Sequence, residues 1–140
     1  PGKLIDVGAG QGRDSLFLAD LGYQVTAIDH SVVGLDQIKE KNSTILTHQT
    51  DIYDVKYNGY EYILLDSMIH LYKKDFEKET SFLNKIYNDM DKEAKLVLIF
   101  QHSKFRVDSI TNLNLGVLSH KESFLYQEFK SKFTIMVFTK

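Results

Sequence analysis

Three glycines in five positions, Gly8, Gly10 and Gly12, follow directly on the apolar run Leu4-Ile5-Asp6-Val7. Glycine is costly to order and packs nothing, so such a triplet marks a place where something must approach the main chain closely. A plain strand-to-helix turn would need only one. The residues after Gly12 open a helix, and the unpaired N–H groups and positive dipole end at its start suit a bound anion. The chemistry on offer is that of a ligand cradle. A dinucleotide site needs G-x-G-x-x-G, whose third glycine would fall at residue 13, which is arginine. A P-loop needs Gly-Lys-Ser/Thr, and none follows. Cysteine is absent, which closes thiolate zinc sites, disulfides and cysteine nucleophiles. The histidines, His30, His48, His70, His102 and His120, show no metal-ligand spacing, so no metal is expected.

The elements that must position this loop alternate along the chain. Residues 3–7 read as a strand and 13–21 as a helix with Phe17, Leu18 and Leu21 on one face. Gly22 suits the left-handed position just past that helix. A second strand covers 24–29, and Ser31 caps a helix running to about Asn42. Residues 44–49 form a weaker third strand and 60–66 a buried fourth. A helix over 74–90 carries Phe76, Leu83, Ile86, Tyr87 and Met90 at helical spacing, and 94–100 is a fifth strand. Residues 123–129 and 133–140 flank Lys130 to Lys132 as a hairpin. Repeated strand–helix units imply a parallel sheet with helices on both faces. The expectation is one doubly wound α/β domain over residues 1–140, closed by an antiparallel pair. The stretch from His102 to His120 is short for a full helix plus connection, so no capping insertion is expected.

Totals agree with that class. The 140 residues, 43% hydrophobic and 26% charged, give the balance of one globular domain. A net charge of -2, with arginine only at Arg13 and Arg106, argues against a nucleic-acid track. No apolar run approaches the roughly 18 residues of a membrane span and no signal peptide is visible, so a soluble, cytoplasmic protein without membrane partners is expected.

Asp6-Val7-Gly8-Ala9-Gly10-Gln11-Gly12 resembles the first motif of the class I S-adenosylmethionine-dependent methyltransferases. The resemblance continues through Asp29 at the end of strand two, Asp51-Ile52 after strand three, and residues 66–72, which are similar to the fourth motif. Residues 10–31 are especially similar to the small tellurite-resistance-like and ubiquinone-methylase-like branches. The resemblance implies a Rossmann-like, mostly parallel seven-stranded sheet. It also implies S-adenosyl-L-methionine as cofactor, S-adenosyl-L-homocysteine as product and in-line methyl transfer to a small molecule. On this reading Gly8, Ala9, Gly10 and Gly12 form the cofactor loop, with Arg13, Asp66 and Ser67 beside it. Asp29 accepts from the ribose hydroxyls, and Asp51 faces the adenine amino group with Ile52 as apolar contact. Asp6 organises the loop or takes the cofactor's ammonium. His30 lies against the adenine or caps the next helix, and Asp14 is a helix-dipole match.

Methyl transfer from a sulfonium asks the protein mainly for positioning. A hydroxyl or amine acceptor also needs a proton removed, and His70 is the catalytic candidate, with Tyr72 and His102 behind it. Its neighbours Met68, Ile69 and Leu71 equally suit a half-buried structural histidine. No Asn/Asp-Pro-Pro-Tyr/Phe follows strand four, which favours a small-molecule acceptor over nucleic acid. A monomer or homodimer is expected. Two departures stand out: the family's helix ahead of strand one has no counterpart, and its glycine turn between strands four and five is replaced by residues 89–95. Competing readings are a cofactor-binding domain without catalysis, or one dependent on a partner, and a nicotinamide oxidoreductase, which Arg13 at a glycine position disfavours.

Overall fold

The apolar run that leads into the glycine loop forms an inner strand of the sheet, β1 (Lys3–Val7). The computed structural model describes residues 2–128 and 130–140. β1 pairs in parallel with β2 (Gln24–Asp29) on one side and β4 (Tyr62–Asp66) on the other. β3 (Leu46–Gln49) lies outside β2, and β5 (Lys95–Gln101) outside β4, both parallel. β7 (Ser131–Thr139) then adds antiparallel to β5, with β6 (Val117–Tyr126) at the edge. The seven-stranded order is β3-β2-β1-β4-β5-β7-β6. Strand order reverses at β1 and β4, so a crevice opens outside their carboxyl ends. The glycine loop and Asp66 both stand there.

Parallel strands covered on both faces lose polar alternation, which is why β1 and β2 read as continuous apolar runs. Helices α1 (Arg13–Asp20) and α2 (Val32–Lys41) cover one face over Leu4, Val25, Ala27, Leu35, Ile38 and Ile45. Helices α3 (Phe76–Asp89) and α4 (Lys104–Thr111) cover the other, where Ile5, Ile63, Phe82, Leu83, Leu98 and Phe100 belong to a larger core. The doubly wound, mostly parallel sheet with its closing hairpin is the expected architecture.

The stretch read as short for a full helix plus connection holds the 8-residue α4. Ser103 caps it, its Oγ accepting from the Arg106 N–H at 3.0 Å, and Val107 and Ile110 are its buried residues. Two apolar positions give too faint a period to read. β6 begins at Val117, well before the expected 123, and its exposed residues hide it in the sequence. Its register with β7 slips between Leu118 and His120.

Side chains of β5 and β7 divide between the faces. Leu96, Leu98, Phe100, Met136 and Phe138 enter the core under α3 and α4. Val97, Ile99, Ile135 and Val137 point the other way, half-buried, and join neither core. No helix among the described residues is long and apolar enough to cross a membrane.

Candidate active site

Asp29 holds the glycine loop. Its Oδ2 accepts from the Gly10 N–H at 2.9 Å and its Oδ1 from the Ser31 N–H at 2.9 Å, so one carboxylate ties the loop to the start of α2. The Gly8 and Ala9 N–H groups donate to the Ile28 carbonyl at 2.9 and 3.0 Å. A carboxylate offers about four lone-pair positions, so Asp29 keeps capacity for two further donors.

The glycines serve different ends. At Gly12 a side chain would collide with Ile38, so this glycine lets α1 and α2 pack closely. Gly8 is shut in by Met68. Gly10, at φ +59°, has nothing within 4 Å of where a Cβ would stand. It alone of the three has open space where a side chain would stand.

A cleft of about 640 Å³ opens at this end of the sheet, and Gly8, Asp29, His30, Asp51 and Ile52 all line it. Gln49, Thr50, Tyr53 and Met68, none of them expected as site residues, line it too. Asp51 is fixed by accepting from the Tyr53 N–H at 3.0 Å, which starts the 3-10 turn Ile52–Asp54. The Tyr53 ring packs on Phe82 with centroids 4.6 Å apart. His30 has 91% of its side chain exposed and lies 3.3 Å from the Asp29 carboxylate. A comparable cleft of about 670 Å³, lined by Lys3, Gln24 and Leu46 among others, sits at the opposite, amino-terminal end of the strands, away from the loop.

Three carboxylates gather beneath and beside the loop. Asp6 is 2% exposed and accepts from the Ser15 hydroxyl at 2.7 Å. Burial, partly offset by that hydrogen bond and reinforced by the charges of Asp66 and Asp29, pushes Asp6 up to about 6. Asp14 rises to about 7, from burial first and then from its hydrogen bond and like charge with Asp66, against the pull of Arg13. Arg13 Nη2 donates to Asp66 Oδ2 at 3.3 Å, and its Nε lies 3.8 Å from Asp14. These acids bring negative charge, beside Arg13, to the start of α1. Asp14, expected to be a mere dipole match, belongs to that group.

Asp66 and Ser67, with Arg13, rim a second cavity of about 170 Å³ on the β5–β7 side. Ser67 holds a left-handed backbone at φ 58°, as does Leu71 at φ 55°. Buried Glu79 pins this segment, accepting from the Leu71 N–H at 2.7 Å and the His70 N–H at 3.3 Å. The His70 ring stacks on Tyr72 with centroids 5.3 Å apart, and its carbonyl accepts from Arg106 Nε at 2.7 Å. It is not among the residues lining either cavity. His102 Nδ1 pairs with the Thr134 hydroxyl at 2.8 Å.

This strand order, with a glycine loop braced from the tip of β2, defines a Rossmann-like fold of the methyltransferase type. Two solved structures share it. A TehB-like SAM-dependent methyltransferase from Corynebacterium glutamicum superposes with a TM-score of 0.73 over 99% of this chain and 79% of its own, at 19% identity. The 1,6-didemethyltoxoflavin-N1-methyltransferase of Burkholderia thailandensis, solved with 1,6-didemethyltoxoflavin and S-adenosylhomocysteine, gives 0.77 over 99% and 70%, at 10% identity. Likeness at those identities is likeness of fold. Residues 1–99 match the model of the tellurite resistance protein TehB family, and the chain belongs to that family. The probable S-adenosyl-L-methionine-dependent methyltransferase TehB of Haemophilus influenzae (strain 10810) is 47% identical over 58 residues, which span 39% of this chain and 20% of the relative.

Proposed function

We propose that this chain is the cofactor-binding and catalytic domain of an S-adenosylmethionine-dependent methyltransferase acting on a small molecule. One observation carries the reading: the open approach over Gly10 lies beside the Asp29 carboxylate that its own N–H engages. When bound, the cofactor supplies an activated methyl group on a sulfonium. The unused lone pairs of Asp29 accept the ribose hydroxyls, a bond type worth roughly 1.5–3 kcal/mol to a charged group. Asp51, Ile52, Tyr53 and His30 hold the adenine. Gly8, Ala9, Gly10 and Gly12 shape the loop, and Arg13 and Ser67 stand where it meets the end of β4. Asp6, Asp14 and Asp66 favour the ammonium and sulfonium charges. Asp66 rims the smaller cavity and is hydrogen-bonded to Asp14, whereas His70 lines neither cavity. This carboxylate pair is therefore better placed than His70 to take a proton from an acceptor.

The test is a calorimetric titration of S-adenosylhomocysteine, with NAD in parallel, into the wild type and the Asp29→Asn and Asp29→Ala variants. Micromolar binding is expected in the wild type, with no heat from NAD. Losing bonds to a charged acceptor weakens binding by roughly 10- to 100-fold. Circular dichroism on the Asn variant separates a lost ligand contact from a lost fold. Heat from NAD and none from S-adenosylhomocysteine overturns the reading.

A further inference from the structure

The smaller cavity beside the cofactor cleft is built differently from the rest of the molecule. Its walls are Ile99 of β5, Phe133 of β7, and Phe124 and Tyr126 of β6, and its rim is Arg13, Asp66 and Ser67. Phe124 and Phe133 are cross-strand partners whose rings lie 6.1 Å apart at 23°. The Tyr126 ring meets Phe133 edge-on, 6.1 Å away at 74°. Three aromatic rings thus form one corner at the carboxyl end of the sheet, yet none belongs to either hydrophobic core.

Size and chemistry narrow what fits. An apolar cavity of about 150 Å³ takes one benzene ring. The 170 Å³ here is room for a six-membered ring seated against these walls. Aromatic walls favour another aromatic ring through offset and edge-to-face contacts, worth roughly 0.5–1.5 kcal/mol each beyond area burial. The rim adds a carboxylate able to accept a hydrogen bond. Consecutive residues connect the two cavities: Asp66 and Ser67 rim this one, and Met68 lines the cofactor cleft.

We propose that this cavity is the acceptor subsite, and that it takes a single aromatic ring bearing one hydrogen-bond-donating substituent, phenol-like or aniline-like, whose donor meets Asp66. The role as acceptor subsite rests on the methyltransferase reading; the ring site itself does not.

Phenol, cyclohexanol and toluene are the probes, read by saturation transfer from protein to ligand and by the methyl resonances of Ile99 and Ile135. Phenol at millimolar concentration is expected to shift Ile99. Cyclohexanol, of equal size but not aromatic, and toluene, which lacks the donor, each bind at least fivefold more weakly. Phe124→Ala weakens phenol at least fivefold, and Ile99→Phe, which fills the cavity, removes the transfer signal. Titrating S-adenosylhomocysteine into the same samples reports the fold and the cofactor site separately. Cofactor binding without any phenol response, equal response to cyclohexanol, or an unchanged response in Ile99→Phe overturns the subsite and leaves the cofactor reading standing. Phenol binding at Ile99 with no S-adenosylhomocysteine binding keeps the ring site and overturns its role in methyl transfer.

Discussion

Asp6→Asn removes an ionisable group from beneath the glycine loop while keeping its shape. The asparagine carbonyl oxygen accepts the Ser15 hydroxyl as the carboxylate does at 2.7 Å. In the wild type, burial raises Asp6 from 3.8 to about 6. The unfolded chain ionises this group near its ordinary value, so between about pH 4 and 6 the folded state binds more protons and stability falls as pH rises. Below that window both states are protonated; above it both are ionised and the loss is complete. A shift of roughly two units at about 1.36 kcal/mol each sets an upper limit near 3 kcal/mol. Urea denaturation of both proteins at several pH values from 4 to 7.5 reads it directly. The variant is expected to gain about 2–3 kcal/mol on the wild type across that range, all of it by about pH 6.5. Taking the difference between the two proteins cancels groups that do not feel Asp6, such as Asp89, which the Lys85 ammonium and the Tyr57 N–H hold below its ordinary value against burial. Asp14, which the Asp6 charge helps to raise, moves down in the variant. A difference that stays flat with pH refutes the argument that burial loads this carboxylate.

Gly12→Ala and Gly10→Ala should separate packing from binding. At Gly12 left-handed strain of about 1–2 kcal/mol adds to the collision with Ile38, itself about 1–3 kcal/mol, and the loss appears in urea melts. At Gly10 only the strain applies, about 1–2 kcal/mol, but the new methyl occupies the ligand's approach, so S-adenosylhomocysteine affinity should fall at least tenfold in a fold that persists. Glu93 takes a left-handed backbone, φ 73°, in the turn before β5, a conformation that favours glycine. Glu93→Gly should therefore raise stability by up to about 1 kcal/mol, relief of strain less the entropy of glycine, seen as a few degrees in a thermal melt.

How far the sequence foretold this molecule depended on where each signal lay. Strands 24–29 and 60–66 carried their own evidence, since burial on both faces writes itself as an unbroken apolar run. Asp29 and Asp51 could be placed because each follows such a run immediately. Asp14 could not, because an acid in a first turn looks alike whether it faces water or Asp66, and only β4 brings Asp66 there. The direction of the His70 ring was equally hidden. It is set by the left-handed Leu71 and by Glu79, a helix turn further on, neither of which the local pattern announces. Likewise the ring cavity joins Arg13 to residues of β4 through β7, a meeting that the sheet order creates.

The slipped register at the outer strand has a consequence for self-association. A sheet can grow by adding a neighbour's strand to a free edge, and this one has two edges. β3, with 4 residues, is too short to template much. β6 has 10, but its partner would meet the irregularity between Leu118 and His120, then the charged Lys121-Glu122 pair in mid-strand. Both ends of the sheet thus resist fibril-like extension.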